Sequence, residues 1–338
     1  MDRKTSILMI GGGAILLAAL IAHGQDGRRE WQISRERGDQ VRLIIERWKP
    51  GSHWSTSTDV PRNRFRGLAP ALFERGGPAR FEYVQDAGRL LCEGSFAFGR
   101  GSGTFTFVPE PDFTAELKKL GYDAPTDEQL FSMLLMGVGI DFARAVRDAG
   151  LHAGTNQLID MRIHGLTADY IHETQRAGYT SLTPQDYIDM RIHGVQPAFL
   201  RDLKDAGYSL SAQQVIELRI HGVSSDFLRD LKDYGLQPKA SDMVQLRIHG
   251  VNAEYLKGLK DAGFGDLGVD RITELRIHGV STEFIRDSRD LGYRFTPQEI
   301  VNLRIHGVDG NYLRRLRDSG MRNLSAAQIE KLKIHGVD

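Results

Sequence analysis

The chain has 338 residues, of which 41% are hydrophobic and 26% are charged, values that are ordinary for folded domains and argue against a disordered chain. The net charge is zero, but residues 1–108 contain 16 Lys and Arg against 11 Asp and Glu, whereas the remainder contains 28 against 33. This acidic surplus argues against nucleic-acid binding by the larger part, because a phosphate backbone requires a basic face. The single cysteine, Cys92, excludes an intrachain disulfide.

The N-terminus has the pattern of an export signal. Arg3 and Lys4 precede an apolar segment, residues 7–22, which is shorter than the roughly 20 residues of a membrane-spanning helix. Small residues at the end of this segment fit the site that a signal peptidase recognises. We expect residues 1–24 to be a signal peptide or an uncleaved membrane anchor, with the rest of the chain periplasmic or membrane-anchored outside the cytoplasm. Residues 25–40 are polar and are expected to be a linker.

Residues 41–108 have the alternating pattern of β-strands. Val41, Leu43 and Ile45 alternate with polar residues, and similar segments follow as far as residue 108, separated by turn signals. This pattern predicts a small antiparallel β domain, either a sandwich or a partly closed barrel.

Two features of this N-terminal part could indicate ligand binding. The glycine-rich residues 99–103 lie between two predicted strands, which favours a hairpin turn, because a phosphate-binding loop leads from a strand into a helix. The three tryptophans, Trp31, Trp48 and Trp54, either line a ligand groove or pack in the core. We favour the core.

The C-terminal two-thirds of the chain consists of repeats. Phe113, Gly121 and Met136 belong to a first copy near residue 110, in which methionine stands where later copies have histidine. Units of this length are typical of supersecondary structures stacked on one another. The recurring histidines, each followed by glycine, are 28 or 29 residues apart: His164, His193, His221, His249, His278, His306 and His335.

One repeat, residues 196–223, is predicted to form two short antiparallel helices. Gly207 ends the first helix, and Ser211 with Gln214 has the spacing of a capping box at the start of the second. The second helix carries four apolar residues: Val215, Ile216, Leu218 and Ile220. We therefore expect residues 110–338 to be an α-solenoid of about eight helical hairpins, and the whole chain to be an α+β multidomain protein.

The recurring histidines could be metal ligands, but their spacing argues against a shared site. Successive repeats advance by roughly 8–10 Å, whereas the ligands of one ion lie about 2 Å from it. We interpret the seven histidines as structural helix-end residues. Recurring charged residues are candidates for the repeat surface, where they would bind a partner, link repeats or contact solvent: Arg219, Arg247, Arg276, Arg304, Asp205, Asp233 and Asp261.

No catalytic, cofactor-binding or metal-binding residue is predicted. His172 and Glu173 begin a zinc-protease pattern, but arginine stands where the second histidine is required. An enzyme would have to use scattered residues of the β domain such as His53, Asp59 and Glu82, whose spacing matches no catalytic motif. We favour a protein without catalytic activity.

Residues 216–223, Ile-Glu-Leu-Arg-Ile-His-Gly-Val, and residues 225–231, Ser-Asp-Phe-Leu-Arg-Asp-Leu, resemble helical repeats of exported bacterial proteins. They are also similar to repeats appended to membrane metallopeptidases of the beta-lactam-sensor or antirepressor type. The resemblance covers about residues 111–338 and implies an extracytoplasmic helical array. It implies no catalytic residue, because the His-Glu-x-x-His motif and the membrane domain of those peptidases are missing.

These observations together predict a non-catalytic extracytoplasmic scaffold that binds a protein or peptide of the cell envelope. The alternatives are a regulatory or sensory accessory of an envelope metallopeptidase or signalling system, and an enzyme with its site in the β domain. We expect no cofactor and no nucleic-acid partner. Membrane contact is expected only through the N-terminal anchor, and self-association is possible through the last repeat.

Overall fold

A computed structural model describes residues 28–35, 38–49 and 51–337. The expected signal peptide or anchor, residues 1–24, lies outside the described residues. The chain divides into two compact units, of which the first comprises Met1–Gln85 with Arg89–Val108 and the second comprises Asp86–Gly88 with Pro109–Asp338.

The first unit is built on one antiparallel sheet of seven strands in the order β3-β2-β1-β7-β6-β5-β4. The strands at the two edges, β3 and β4, are joined by only three residues, Arg62–Arg64, which together span on the order of 14 Å. The sheet is therefore rolled, so that the sandwich is wrong and the partly closed barrel fits. The elements are β1 (Arg29–Arg35), β2 (Gln40–Lys49), β3 (Ser52–Pro61), β4 (Phe65–Arg66), α1 (Leu72–Arg75), β5 (Gly77–Gln85), β6 (Gly88–Ala97) and β7 (Arg100–Pro109).

The linker expected at residues 25–40 is wrong for residues 29–35, because these form β1, which lies in the middle of the sheet between β2 and β7. Trp31 of this strand is completely buried. Its indole N–H donates to the carbonyl oxygens of Glu93 at 3.3 Å and Thr104 at 2.9 Å. Only Trp31 and Ile33 provide the apolar positions of the alternating pattern in β1. With charged residues around them, this pattern is not evident in the sequence.

The expected hairpin between two strands is present, but its turn is shorter than predicted, because most of the glycine-rich residues 99–103 are strand. The turn consists of Phe98 and Gly99, whereas Gly101 and Gly103 belong to β7. A Cβ on Gly101 would lie 2.5 Å from the Phe96 ring, and one on Gly103 would lie 2.0 Å from a backbone oxygen of β6. Glycine is needed in β7 because the neighbouring strand approaches so closely.

The second unit confirms the predicted helical array. Among the described residues, sixteen short helices form eight hairpins, each with an even-numbered first helix and an odd-numbered second helix. The helices are α2 (Pro111–Lys119), α3 (Asp127–Met136), α4 (Ile140–Asp148), α5 (Thr155–Ile163), α6 (Ala168–Arg176), α7 (Pro184–Ile192), α8 (Pro197–Asp205), α9 (Ala212–Ile220), α10 (Ser225–Tyr234), α11 (Ala240–Ile248), α12 (Ala253–Asp261), α13 (Val269–Ile277), α14 (Thr282–Asp290), α15 (Pro297–Ile305), α16 (Gly310–Asp318) and α17 (Ala326–Ile334).

First helices pack on first helices of the adjacent repeats and second helices on second helices, which gives two layers. In one repeat, Leu200 and Leu203 of α8 and Val215 and Leu218 of α9 belong to the same hydrophobic core, and all four are completely buried. Helices of this length are marginal in isolation, so this shared core stabilises them. No single helix in the described part is long and apolar enough to cross a membrane, although α3 and α4, bent by 92°, qualify as a pair by length and composition only.

Candidate binding surface on the repeat array

Each second helix from α5 onward ends in a five-residue motif, which is Arg-Ile-His-Gly-Val in most copies. Gly222 has a φ of 73°, and its N–H donates to the Arg219 carbonyl oxygen at 3.0 Å, while the Val223 N–H donates to that of Leu218 at 2.9 Å. This pair of hydrogen bonds is a Schellman motif. The histidines occupy the C-cap position in every copy: His164, His193, His221, His249, His278, His306 and His335.

The arginine of the motif joins neighbouring repeats. The Arg276 guanidinium lies 4.7 Å from the ring centroid of Tyr255 in its own repeat, and its Nε–H donates to the His249 carbonyl oxygen of the preceding repeat at 3.1 Å. A cation is favourable there, because the carbonyl groups at a helix C-terminus carry partial negative charge. The other three candidate arginines stack in the same way: Arg219 on Phe199 at 5.2 Å, Arg247 on Phe227 at 5.0 Å and Arg304 on Phe284 at 5.4 Å.

These four arginines are therefore half-buried in repeat junctions, and their guanidinium groups are not a free binding surface. The three candidate aspartates, in contrast, are exposed in the last turn of first helices. Asp261 accepts from the Lys257 ammonium at 2.6 Å, and the Asp233 carbonyl oxygen accepts from Lys260 of the next repeat at 2.8 Å. The aspartates Asp205, Asp233 and Asp261 thus form a solvated row.

The isoleucine of the motif is exposed, although Ile220 follows the buried apolar residues Val215, Ile216 and Leu218. Ile220 is 56% exposed, whereas Ile216, one helical turn earlier on the same face, is buried. We call the seven equivalent residues the isoleucine ladder. The ladder consists of Ile163 (54% exposed), Ile192 (53%), Ile220 (56%), Ile248 (53%), Ile277 (57%), Ile305 (55%) and Ile334 (58%).

Packing and capping explain three residues of the motif and leave two unexplained. The arginine joins repeats, the glycine adopts a positive φ, and the valine is buried. Isoleucine and histidine are required neither by the helix end nor by the core, since Leu135 and Met136 replace them in the first copy. Both nevertheless recur in all seven later copies. The exposed or half-buried position three residues before the isoleucine instead varies: Asp160, Asp189, Glu217, Gln245, Glu274, Asn302 and Lys331.

This variable row contains four acids, two amides and one lysine. Glu274 forms an ion pair with Arg271 of its own helix, so the negative charge beside the ladder comes mainly from Asp160, Asp189 and Glu217. The histidine side chains are partly or fully exposed next to it, and Nε2 of His306 lies 3.0 Å from the Glu330 carboxylate of the following repeat. The described residues contain no group of three or more His, Cys, Asp or Glu side chains that could hold a metal ion. In the partial zinc pattern, Glu173 forms an ion pair with Arg201 at 3.4 Å.

The residues considered for an enzyme in the β domain do not form a constellation. Asp59 binds the Arg42 guanidinium at 2.9 and 3.3 Å, and this hydrogen bonding lowers the pKa of Asp59 below its ordinary value. His53 precedes Asp59 by six residues on β3, a separation of about 20 Å. Glu82 lies on β5, paired with Arg66 of β4.

Two of the three tryptophans lie on the surface, so the core interpretation holds for Trp31 alone. Trp48 is 44% exposed and Trp54 is 41% exposed. They flank the β2–β3 turn, where Trp48 pairs with His53 across the strands and its ring stacks on the imidazole at 3.7 Å.

No protein-family model matches this sequence, and no curated protein matches it either.

Proposed function

We propose that this protein is a non-catalytic scaffold that binds a protein or peptide along the isoleucine ladder. The supporting observation is that an apolar residue more than half exposed recurs unchanged at one position in seven repeats. Covering a half-exposed isoleucine contributes about 1 kcal/mol, so several in a row provide useful affinity. Extended apolar surfaces of this kind are typical of interaction sites in soluble proteins.

The spacing of the ladder favours an extended polypeptide as the occupant. Neighbouring second helices lie roughly 8–10 Å apart, and one three-residue turn of polyproline II rises about 9 Å. A segment with an apolar side chain at every third residue would therefore place one such side chain on each repeat. The acidic residues beside the ladder, including Asp189 and Glu217, favour Lys or Arg between the apolar residues. The neighbouring histidines can donate hydrogen bonds to the extended backbone.

Synthetic peptides test this proposal. A peptide of repeated Leu-Pro-Lys has the proposed spacing and charge, and one of repeated Leu-Pro-Glu reverses the charge. A third peptide of the same composition, repeated Leu-Leu-Pro-Pro-Lys-Lys, breaks the register. We expect the full chain to bind the first peptide in fluorescence anisotropy and to bind the other two much more weakly.

Paired variants locate the site. The ladder variant replaces Ile192, Ile220 and Ile248 by asparagine, and its control replaces Gln185, Gln213 and Ser241, which are exposed at the other end of the same helices, by asparagine. At about 1 kcal/mol for each isoleucine, the ladder variant should bind about a hundredfold more weakly, and the control should bind like the original protein. Equal binding by both variants would show that the peptide does not bind along the ladder.

We infer from the sequence of residues 1–24 that the scaffold acts outside the cytoplasm. The full chain fused to alkaline phosphatase, which is active only after export, tests this inference. Phosphatase activity should depend on the apolar residues 7–22, and equal activity after their deletion would contradict export by this segment.

A further inference from the structure

Phe98 is the most exposed large hydrophobic residue in the described part of the chain, with 93% of its surface accessible. It occupies the two-residue turn between β6 and β7 together with Gly99, and both residues have positive φ, 52° and 77°. Hairpin turns of this type favour Asn-Gly, and an aromatic side chain adopts the left-handed region with strain. A strained aromatic residue that contacts solvent is therefore not explained by the stability of the turn.

Arginines from three elements surround this turn. α1 packs against it, since a Cβ on Gly99 would lie 3.6 Å from the carbonyl oxygen of Phe73. Arg75 is the last residue of α1, and the Arg62 guanidinium lies 5.6 Å from the Phe73 ring. Arg100 is the first residue of β7 and follows the turn directly. The surface around Phe98 thus combines one protruding ring with two exposed cations, Arg75 and Arg100, whereas Arg62 is half-buried against Phe73.

The charge of this surface is not neutralised locally. Arg75 and Arg100 are exposed and form no ion pair with another residue that the structure describes. Among the described residues, the acidic groups nearby include Glu74 in α1 and Asp39, whose carbonyl oxygen accepts from the Arg62 N–H at 3.0 Å. The sequence as far as residue 108 carries a surplus of five positive charges, so a negatively charged partner is favoured.

We propose that the Phe98 turn docks the β domain onto an anionic phospholipid surface. Phe98 inserts between the lipids, and the guanidinium groups of Arg75 and Arg100 bind headgroup phosphates, for which their planar donor geometry is well suited. A fluid interface accepts a single protruding ring, whereas a protein partner would need a pocket shaped for it. This contact is independent of the scaffold function, because the helical array takes no part in it.

Binding to vesicles of phosphatidylglycerol measures the contribution of each group. Phe98→Asn removes the inserting ring and should weaken binding by about tenfold or more. Arg75→Gln and Arg100→Gln should each weaken it about fivefold, which corresponds to about 1 kcal/mol for each basic side chain near an anionic surface. Because Asn-Gly suits the turn, Phe98→Asn should also raise the melting temperature, so that unfolding cannot explain a loss of binding.

A second measurement separates the turn from the apolar N-terminal residues of the full chain. A fluorescent label on Ala97→Cys lies beside the turn and leaves Phe98 intact, and a label on Ser52→Cys lies at the opposite end of the strands. Cys92 does not compete, since it is buried and burial raises the pKa of its thiol.

Brominated phosphatidylglycerol should quench the Ala97→Cys label and leave the Ser52→Cys label bright. Adding Phe98→Asn, or replacing the lipid by phosphatidylcholine, should abolish the quenching. An unquenched Ala97→Cys label on vesicles that bind the protein would overturn the proposal, as would unchanged quenching after Phe98→Asn.

Discussion

At the scale of single residues, the glycine of the motif combines two roles that can be separated experimentally. Gly250 and Gly307 have nearly the same φ, 73° and 75°. A Cβ on Gly250 would lie 2.9 Å from a terminal guanidinium nitrogen of Arg276, but a Cβ on Gly307 would have nothing within 4 Å.

Gly307→Ala should therefore lower the free energy of unfolding by about 1–2 kcal/mol, the cost of a left-handed alanine. Gly250→Ala should lower it by about 1 kcal/mol more, because Arg276 loses contacts to the helix end. Urea unfolding of the two variants measures the difference. Equal losses would show that Arg276 moves aside freely.

The isoleucine and histidine of the motif show how far the sequence predicts single residues. The repeated glycine and the period were sufficient to predict that His221 ends a helix. The exposure of Ile220 was not predicted, because Val215, Ile216 and Leu218 precede it and an apolar residue in such a series usually faces the core. Ile216 and Ile220 lie one turn apart on the same helical face, yet only Ile216 is buried, so helical periodicity alone does not separate them.

At the scale of elements, the arginine junction should depend on hydrogen-bond geometry as well as on charge. Arg276→Lys keeps a cation over Tyr255, as Lys333 lies 4.5 Å from the Tyr312 ring centroid in the last repeat, but it loses the forked donor that bonds to His249. We expect a loss of about 1 kcal/mol for Arg276→Lys and about 2–3 kcal/mol for Arg276→Met, which also loses the ring contact. Thermal and urea unfolding would rank the two variants, and a lysine variant as unstable as the methionine variant would contradict the stacking contribution.

Helix N-termini offer a pair of opposite predictions. The Ser211 hydroxyl accepts from the Gln214 N–H at 3.3 Å at the start of α9, whereas Lys239 at the same position of α11 makes no capping bond. Ser211→Ala should destabilise the array by about 1 kcal/mol, and Lys239→Ser should stabilise it by a similar amount. Both changes are measured by urea unfolding, and a destabilised Lys239→Ser would show that the lysine has another role.

The helices were easier to predict than the strands because the same sequence pattern occurs in each repeat. A repeat with a capping box, such as Ser211 with Gln214, supports the prediction of a helix at the same position in repeats without one, such as α11. Strand β1 occurs once, and its two buried residues, Trp31 and Ile33, lie among charged side chains. The position of the turn at Phe98 was not predicted. Glycines usually mark turns, so the prediction placed the turn in the glycine-rich segment and not at the strained aromatic residue.

At the scale of the whole molecule, buried tyrosines make the array sensitive to alkaline pH. Burial raises the pKa of Tyr170 to about 12, and burial together with the charge of Tyr170 raises that of Tyr187 to about 12, from an ordinary 10.0. The unfolded chain releases these protons first, so the free energy of unfolding should fall as the pH rises from about 10 through about 12, by up to about 1.4 kcal/mol per pH unit for each group.

Urea unfolding across this pH range, with spectrophotometric titration of the phenols, measures the effect. Tyr187→Phe should make the decline shallower. Titration of every tyrosine near its ordinary pKa would contradict the burial of these two.

The distribution of chromophores allows the two units to be followed separately. All three tryptophans, Trp31, Trp48 and Trp54, belong to the β domain, whereas the helices of the array dominate the far-ultraviolet circular dichroism. Each unit has a hydrophobic core of its own, and we therefore expect each to unfold cooperatively. Gly250→Ala should shift the urea midpoint measured by circular dichroism and leave the midpoint measured by tryptophan fluorescence unchanged. A shift of both midpoints together would mean that the β domain and the array unfold as one cooperative unit, and a loss of stability in the array would then also disturb the Phe98 turn.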